Sequence, residues 1–428
     1  MTQTTQKLIE FLTDSPTAFH ARDNAKTLLL TSGFQQIFET DDWALNEGGK
    51  YFVERAGSSL IAFTVGDLDS FSYKIVASHT DSPMLKIKEN PVAGGLCATL
   101  NVETYGGGMW YTFFDRPLKI AGRVVKNENG RIVSRNVEAP FLVSIPSLAI
   151  HQNRGVNDGF SVNPQVDLLP LLCLGEKPTE QELLQKIAGE ENVLSYDLYA
   201  VNADTPYSFG LSDEFLAAPR VDNLTSVCAS LEALCSCAES GGVCVAAIFD
   251  KEEIGSATAQ GAGGNFLENV LRRIAYALRF DDNEFYKALA SSFMISVDNA
   301  HATHPNHPEK SDPTNKTALG GGVVIKSHAG GAYTTDGVSS AVVKAVLKKA
   351  GVKYQNFFNR SDVRSGSTLG VAAAKELGIA CADIGLAQLA MHSACESFAK
   401  SDYAEMVNGL TAFYSSDIFT ENGDFTVR

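Results

Sequence analysis

Positive charge is scarce in this sequence. Its 35 lysines and arginines face 50 aspartates and glutamates, leaving a formal net charge of -15 over 428 residues. A surface of that sign repels phosphate backbones, so nucleic acid is not an expected partner. An acidic small substrate stays open, because one nearby Lys or Arg outweighs a distant, screened field. The eight cysteines form no CxxC pair, and several sit in apolar runs. That pattern argues against a disulfide frame or a thiolate zinc site and for buried free thiols in a reducing compartment. No run of about 20 apolar residues occurs, so no membrane span is expected. The opening MTQTTQKLIEFL lacks a basic stretch followed by a long apolar one. No signal peptide is read there, and the cytoplasm is the expected location. Phosphate loops are missing too. Gly106 to Gly108 reads as a flexible turn, and Gly261 to Gly264 and Gly320 to Gly322 read as loops for close backbone approach. None carries a Walker or dinucleotide pattern, which disfavours phosphate chemistry.

What is present suits a large globular protein. The chain is 44% hydrophobic and 20% charged, and it is too long for one ordinary core, so two domains are expected. Residues Gln6 to Ser32 have helical periodicity broken at Pro16, followed by strands Ser59 to Thr64 and Lys74 to Ser78. From about Lys86 to Tyr199, short alternating runs such as Leu118 to Val125 and Ile132 to Ser134 read as β hairpins, with a short helix at Thr179 to Gly189. Beyond Arg220, helix and strand alternate. Helices are expected at Asp222 to Ala238, within Ser256 to Arg273, and at Asp336 to Ala350, Ser367 to Leu377 and Tyr403 to Tyr414, the last closing the chain. Strands are expected at Val243 to Phe249, Phe293 to Val297 and Ile379 to Ile384. Such alternation argues for an α/β fold with a mostly parallel sheet covered on both faces. The simplest assembly joins residues 1–88 with 205–428 and inserts a β-rich domain at 89–204.

Ligands of such sheets bind beyond the carboxyl ends of the strands. The strand ends here carry His79 and Asp81; Asp250, Glu252 and Glu253; and Asp298 and His301, while Asp222 opens a helix and His392 follows the last strand. Each has an ordinary explanation alone. Asp222 would be a helix N-cap, Asp250 to Glu253 a solvated turn, and a single His a hydrogen-bonded loop residue. Their convergence on one sheet edge is harder to explain, because unpaired carboxylates repel and a divalent cation removes that repulsion. Carboxylates with imidazoles suit zinc, cobalt or manganese. Asp81, two residues beyond His79 in an extended segment, lies where it can hold one imidazole nitrogen while the other meets metal. His304 and His307 are separated by Pro305 and Asn306 and read as structural, with His301 the better functional candidate.

In this order, these residues resemble the aspartyl aminopeptidase family, which shares the plan of co-catalytic di-zinc exopeptidases. The resemblance rests on ASHTDSPMLKIK (77–88), IPSLAIH (145–151), RVDNLTS (220–226), DKEEIGS (250–256), SVDNAHATHPN (296–306), GGVVIKSHAGGAYTT (321–335), GSTLG (366–370) and QLAMHSACE (388–396). It implies a three-layer α/β/α zinc-exopeptidase domain carrying an inserted β-rich domain used in dimerisation and larger assembly. It also implies two zinc ions per subunit, with cobalt or manganese as substitutes. Asp222 would bridge the ions, His79 and Asp298 would complete one site, and Glu253 and His392 the other. Glu252 would be the general base, with Asp81 supporting the catalytic site. His151, His301, Lys326 and Tyr333 match substrate contacts, and His151 would reach a neighbouring subunit's site. The expected substrates are peptides with a free N-terminus, and Lys326 would favour N-terminal Asp or Glu. The expected assembly is a homo-oligomer, a dodecamer built from dimers. Two other readings remain: a two-metal amidase or deacylase acting on non-peptide amides, and a self-assembling scaffold with a vestigial site. A panel of aminoacyl and N-acyl substrates, together with metal analysis, separates the three.

Overall fold

The computed structural model describes residues 3–69, 71–189, 192–237 and 241–428. At its centre is a sheet of nine strands among the described residues. Their order is Gln35–Gln36, Lys50–Arg55, Ser59–Val65, Val243–Phe249, Tyr73–His79, Phe293–Val297, Ala380–Gly385, Val323–Lys326 and Tyr354–Phe357. The strands nearest the middle run parallel: Val243–Phe249 with Tyr73–His79, Tyr73–His79 with Phe293–Val297, and Phe293–Val297 with Ala380–Gly385. Phe249 pairs with His79, so these strands end level with one another.

Side chains alternate across a strand, and here both faces are apolar. Val243, Val245, Ala247 and Phe249 enter one core, whereas Cys244, Ala246 and Ile248 enter the other. The first core is closed by helices Phe266–Ala277, Asp282–Ala290 and Leu369–Leu377. The second is closed by Gln3–Thr13, Ala18–Thr31, Val221–Ser236, Gly337–Lys349 and Lys400–Tyr414. Each fully buried Val, Leu, Ile or Phe contributes about 1.5–3 kcal/mol, which holds the three layers together and leaves the strand ends free for polar work.

The inserted region builds a second sheet, wholly antiparallel, in the order Arg131–Val143, Leu118–Glu128, Val193–Asn202, Met84–Ala93, Cys97–Tyr105 and Leu171–Leu174. It has its own core, including Leu85, Leu100, Ile120, Val124 and Leu198. Helix Glu180–Ala188 packs on it. The helix starts at a reciprocal cap between Thr179 and Glu182 and stops at Gly189, whose φ is 67°. Such boxes satisfy two otherwise unpaired N–H groups.

Several expectations need correction. The helix expected from Asp222 runs Val221–Ser236, with Asp222 and Asn223 non-helical inside it, so Asp222 is not a simple N-cap; Ala238 lies outside the described residues. Helix Lys400–Tyr414 does not close the chain, because a hairpin of Ile418–Glu421 and Asp424–Val427 follows. A third sheet, of Tyr207–Phe209, Phe215–Ala218, Glu396–Ala399, Ala387–Leu389 and Ala300–His301, was not foreseen. Its strands are too short to show a period. None of the eight cysteines is in a disulfide among the described residues, but only Cys228, Cys244 and Cys381 are buried, and Cys173 is exposed. Among the described residues no helix is long and apolar enough to cross a membrane.

Gly385 ends the strand beside Asp298. A Cβ there would stand 2.0 Å from the Asp298 carbonyl oxygen, and neither backbone can yield cheaply. Gly385→Ala is expected to cost about 1–3 kcal/mol of stability through overpacking, read as a lowered thermal midpoint. An unchanged midpoint would contradict that packing.

Candidate metal centre

The parallel strands deliver their polar ends to one place. His79 is the last residue of its strand and is buried. Its Nε2 lies 3.6 Å from Asp222 Oδ1, 3.8 Å from Asp298 Oδ2 and 3.9 Å from Glu252 Oε2. On the other side of Asp222, His392 Nε2 lies 3.4 Å from Asp222 Oδ2 and 3.4 Å from Glu253 Oε1. The two oxygens of Asp222 therefore face two different imidazoles. Ligands at about 2.0–2.2 Å in a tetrahedral shell are about 3.3–3.6 Å apart, close to these separations. Asp222, Glu253 and His392 form a group whose donor atoms all lie within 4.8 Å of one another. Among the described residues Asp222 Oδ1 and Glu253 Oε1 are buried without a hydrogen-bond partner, a costly state for carboxylate oxygens unless a cation meets them. The residues thus fit divalent metal of the zinc type.

The backbone that presents these groups is specified locally. After Phe249 the chain turns: Lys251 has φ of 69°, Glu252–Ile254 form a 3-10 turn, and Gly255 has φ of 96°. In that turn the Glu252 and Glu253 N–H groups both donate to Asp81, at 3.0 and 3.1 Å, and Tyr105 Oη donates to the same carboxylate at 2.7 Å. Asp81 also stands beside His79, but the closest partner of His79 Nδ1 is the Asp81 carbonyl at 3.0 Å, with the Asp81 carboxylate at 3.4 Å. Asp81 therefore does more than orient His79: it holds the Glu252–Glu253 turn as well. Glu396, assigned no role from sequence, accepts from the backbone N–H of Asp222 at 2.9 Å and of His392 at 2.6 Å. Asn223 and Ser82 fasten the Asp222 segment through Val297 O and Asp222 O.

The candidate substrate residues divide. Lys326, at the end of its strand, is buried. Its Nζ donates to Asp298 Oδ1 and Asn299 O, both at 3.1 Å, and lies 5.0 Å from the Tyr333 ring centre. Tyr333 Oη meets Ser365 Oγ and Asn359 Nδ2. His301 is accessible to water, with its ring 6.3 Å from Phe357. His151 is exposed in a turn of the inserted region, and among the described residues no hydrogen bond or ion pair ties it to the cluster. His304 and His307 also stay apart from the centre; His307 pairs with Glu309. Asp362 pairs with Arg360.

Electrostatics reflect the crowding of acids. Burial raises the Glu252 carboxyl to about 8, aided by Asp298, Asp81 and Asp222 and opposed by His79. Burial likewise raises Glu253 well above the carboxylate range and Glu396 to about 8, with Asp222 adding to it. For His392 burial pulls downward, but Asp222 and Glu253 overcome it and lift the imidazole to about 10. Upward shifts in neighbouring acids and base alike mark a site that lacks positive charge.

The fold and this cluster define a metal-dependent hydrolase of the three-layer exopeptidase plan. The model of the family described as aminopeptidase I zinc metalloprotease (M18) matches residues 11–414. A probable M18 family aminopeptidase 2 of Clostridium acetobutylicum is 44% identical over 425 residues, covering 96% of this chain and 98% of that protein. A chain in the cryo-EM structure of the Ape4 and Nbr1 complex superposes with a TM-score of 0.91 at 33% identity, covering 96% of this chain and 85% of its own. The Saccharomyces cerevisiae mApe1 dodecamer gives 0.82 at 26% identity, covering 96% of each chain. The chain belongs to the M18 family and is a zinc-dependent aminopeptidase.

A pH effect follows for metal-free protein. Glu252 in the fold protonates near 8 against 4.5 when free, and His392 near 10 against 6.5. The folded state therefore holds more protons across these intervals, and its stability falls as pH rises from about 5 to 9. Bound zinc would take the place of those protons and oppose the trend. Thermal midpoints of chelator-treated protein should fall over this range and those of zinc-loaded protein should not; a flat metal-free profile would contradict the crowded-acid account.

Proposed function

We propose that this aminopeptidase uses two zinc ions sharing Asp222, with His79 and Asp298 completing one site and Glu253 and His392 the other. The observation that carries this reading is the placement of the two Asp222 oxygens against separate imidazoles, 3.6 and 3.4 Å away. When bound, the ions supply Lewis acidity and a water acidified towards neutrality. Glu252 stands on the His79 side, with part of its carboxylate open to solvent. There it takes the water proton and passes it to the departing amine as the peptide bond breaks. Asp81 keeps that carboxylate on station through the Glu252 N–H. Tyr333 and His301 border the substrate side. Cobalt or manganese would suit the same donors.

The reading extends to assembly. We take residues 1–88 and 205–428 as the catalytic unit and 89–204 as the assembling one, forming a homo-oligomer like the dodecameric mApe1. Large apolar side chains are exposed in this region, among them Ile132, Leu142, Leu148 and Leu174, as expected of a surface that meets another copy. His151, exposed and tied to its own site by no hydrogen bond or ion pair among the described residues, would then serve a neighbour's.

The division of labour between adjacent acids is testable. Glu252→Gln should retain two zinc ions by elemental analysis and lose about 10²–10⁴-fold in turnover, whereas Glu253→Gln should lose one ion. Near-normal turnover of Glu252→Gln would refute the assignment.

Lys326 would select Asp or Glu at the peptide N-terminus, since a buried cation near the scissile residue rewards an acidic side chain. Its contact with Asp298 supports a second reading, in which the ammonium serves that ligand alone. Lys326→Ala should reduce kcat/KM for N-terminal Asp or Glu at least about tenfold more than for Leu, a difference of about 1.4 kcal/mol. An equal loss on both would favour the second reading.

A further inference from the structure

We propose that the glycine turn Gly106–Gly108 of the inserted sheet is a positioning element for the Glu253–His392 half of the metal centre; the inference rests on the two-ion reading above. The turn follows strand Cys97–Tyr105 directly. Sequence alone makes it a flexible connector, but the structure sets it against both ligands. Gly107 O lies 3.0 Å from His392 Nδ1. A carbonyl can only accept, so this bond keeps a proton on Nδ1 and makes Nε2, which faces Asp222 and Glu253, the nitrogen that would be free to meet a metal. The next residue but one, Met109, donates its N–H to His392 O at 2.8 Å. His392 has φ of 66°, a conformation uncommon for a residue with a Cβ. It is held there from three directions: by Gly107, by Met109 and by Glu396 on its own N–H.

Glu253 constrains the turn from the other side. Gly106 has φ of 74°, and a Cβ there would lie 3.1 Å from Glu253 Cβ and 3.2 Å from Glu253 Oε2. Only a residue without that atom lets the turn close over the carboxylate undisturbed. Through this turn the inserted domain contributes backbone, beside the Tyr105 hydroxyl on Asp81, to a site whose candidate ligands all come from the central domain. It fixes one imidazole's tautomer and one carboxylate's place. The other half, with His79 and Asp298, makes none of these contacts with the turn.

The test compares Gly106→Ala with Gly130→Ala. Gly130 also has positive φ, 88°, but nothing lies within 4 Å of its would-be Cβ, so it reports the backbone strain without the contact. Zinc stoichiometry and affinity are measured by competition with a chelator, alongside thermal midpoints. Wild type and Gly130→Ala should hold two ions. Gly106→Ala should hold the first as wild type does and the second on the order of 10–100-fold more weakly, with turnover restored by added zinc. If Gly106→Ala binds both ions at wild-type affinity, the proposal fails. It fails too if both ions weaken together as the midpoint drops, since that marks a general structural effect. Should the alanine variant not fold, Gly106→Asn presents the same Cβ from a residue that tolerates positive φ and is judged by the same outcomes. A wild-type stoichiometry of one would overturn the two-ion reading itself, separately from the role of the turn.

Discussion

The carboxylates Asp222, Glu252, Glu253 and Asp298 are gathered with His79 and His392 at one end of the central sheet, largely shielded from water. Like charges so close in a low-dielectric setting repel strongly, and only added protons or cations relieve them. Lys326 answers for Asp298, but among the described residues Asp222 Oδ1 and Glu253 Oε1 have no hydrogen-bond partner. A folded protein tolerates such a cluster when a bound ion belongs to it, and the zinc chemistry of the M18 family supplies that ion.

The rest of the architecture keeps the acids in place. Level parallel strands bring His79, the end of Phe249 and the end of Val297 side by side. The turn after Phe249 then separates two adjacent glutamates, and Asp81 holds its amides. Glu396 holds the amides of Asp222 and His392. Buried carboxylates that accept backbone N–H bonds are thus the scaffold on which the ligand carboxylates stand. Three layers of packed apolar side chains make that scaffold stiff, which matters because a shift of even 1 Å would spoil both coordination and proton transfer.

Much of this was legible in sequence where a residue's own pattern decided its fate. Val243–Phe249 and Phe293–Val297 are strands at the positions their unbroken apolar runs indicate. Their polar termini point to the site because α/β sheets bind at such ends. Helix Asp282–Ala290 carries a readable local signal, an Asp281–Glu284 cap with Phe285, Ala288 and Leu289 on one face, but it is too short to stand out by periodicity alone. The strands of two to four residues around His301 and Gln388 leave no periodic trace. Partners set by tertiary contact were hidden as well. Nothing local to Lys326 says that it is buried against Asp298, and nothing in Gly106–Gly108 says that Glu253 and His392 lie against them. The positions of His79, Asp222, Glu252, Glu253, Asp298 and His392 came from strand ends and family resemblance, but Glu396 and Tyr105 emerge only once the chain is folded.

The most direct test of the account is a crystal structure of zinc-loaded protein with anomalous difference maps at the zinc edge. The account predicts two peaks about 3.5–4 Å apart, one beside His79 and Asp298 and the other beside His392 and Glu253, with an oxygen of Asp222 against each. A single peak, or two peaks that do not share Asp222, would contradict it.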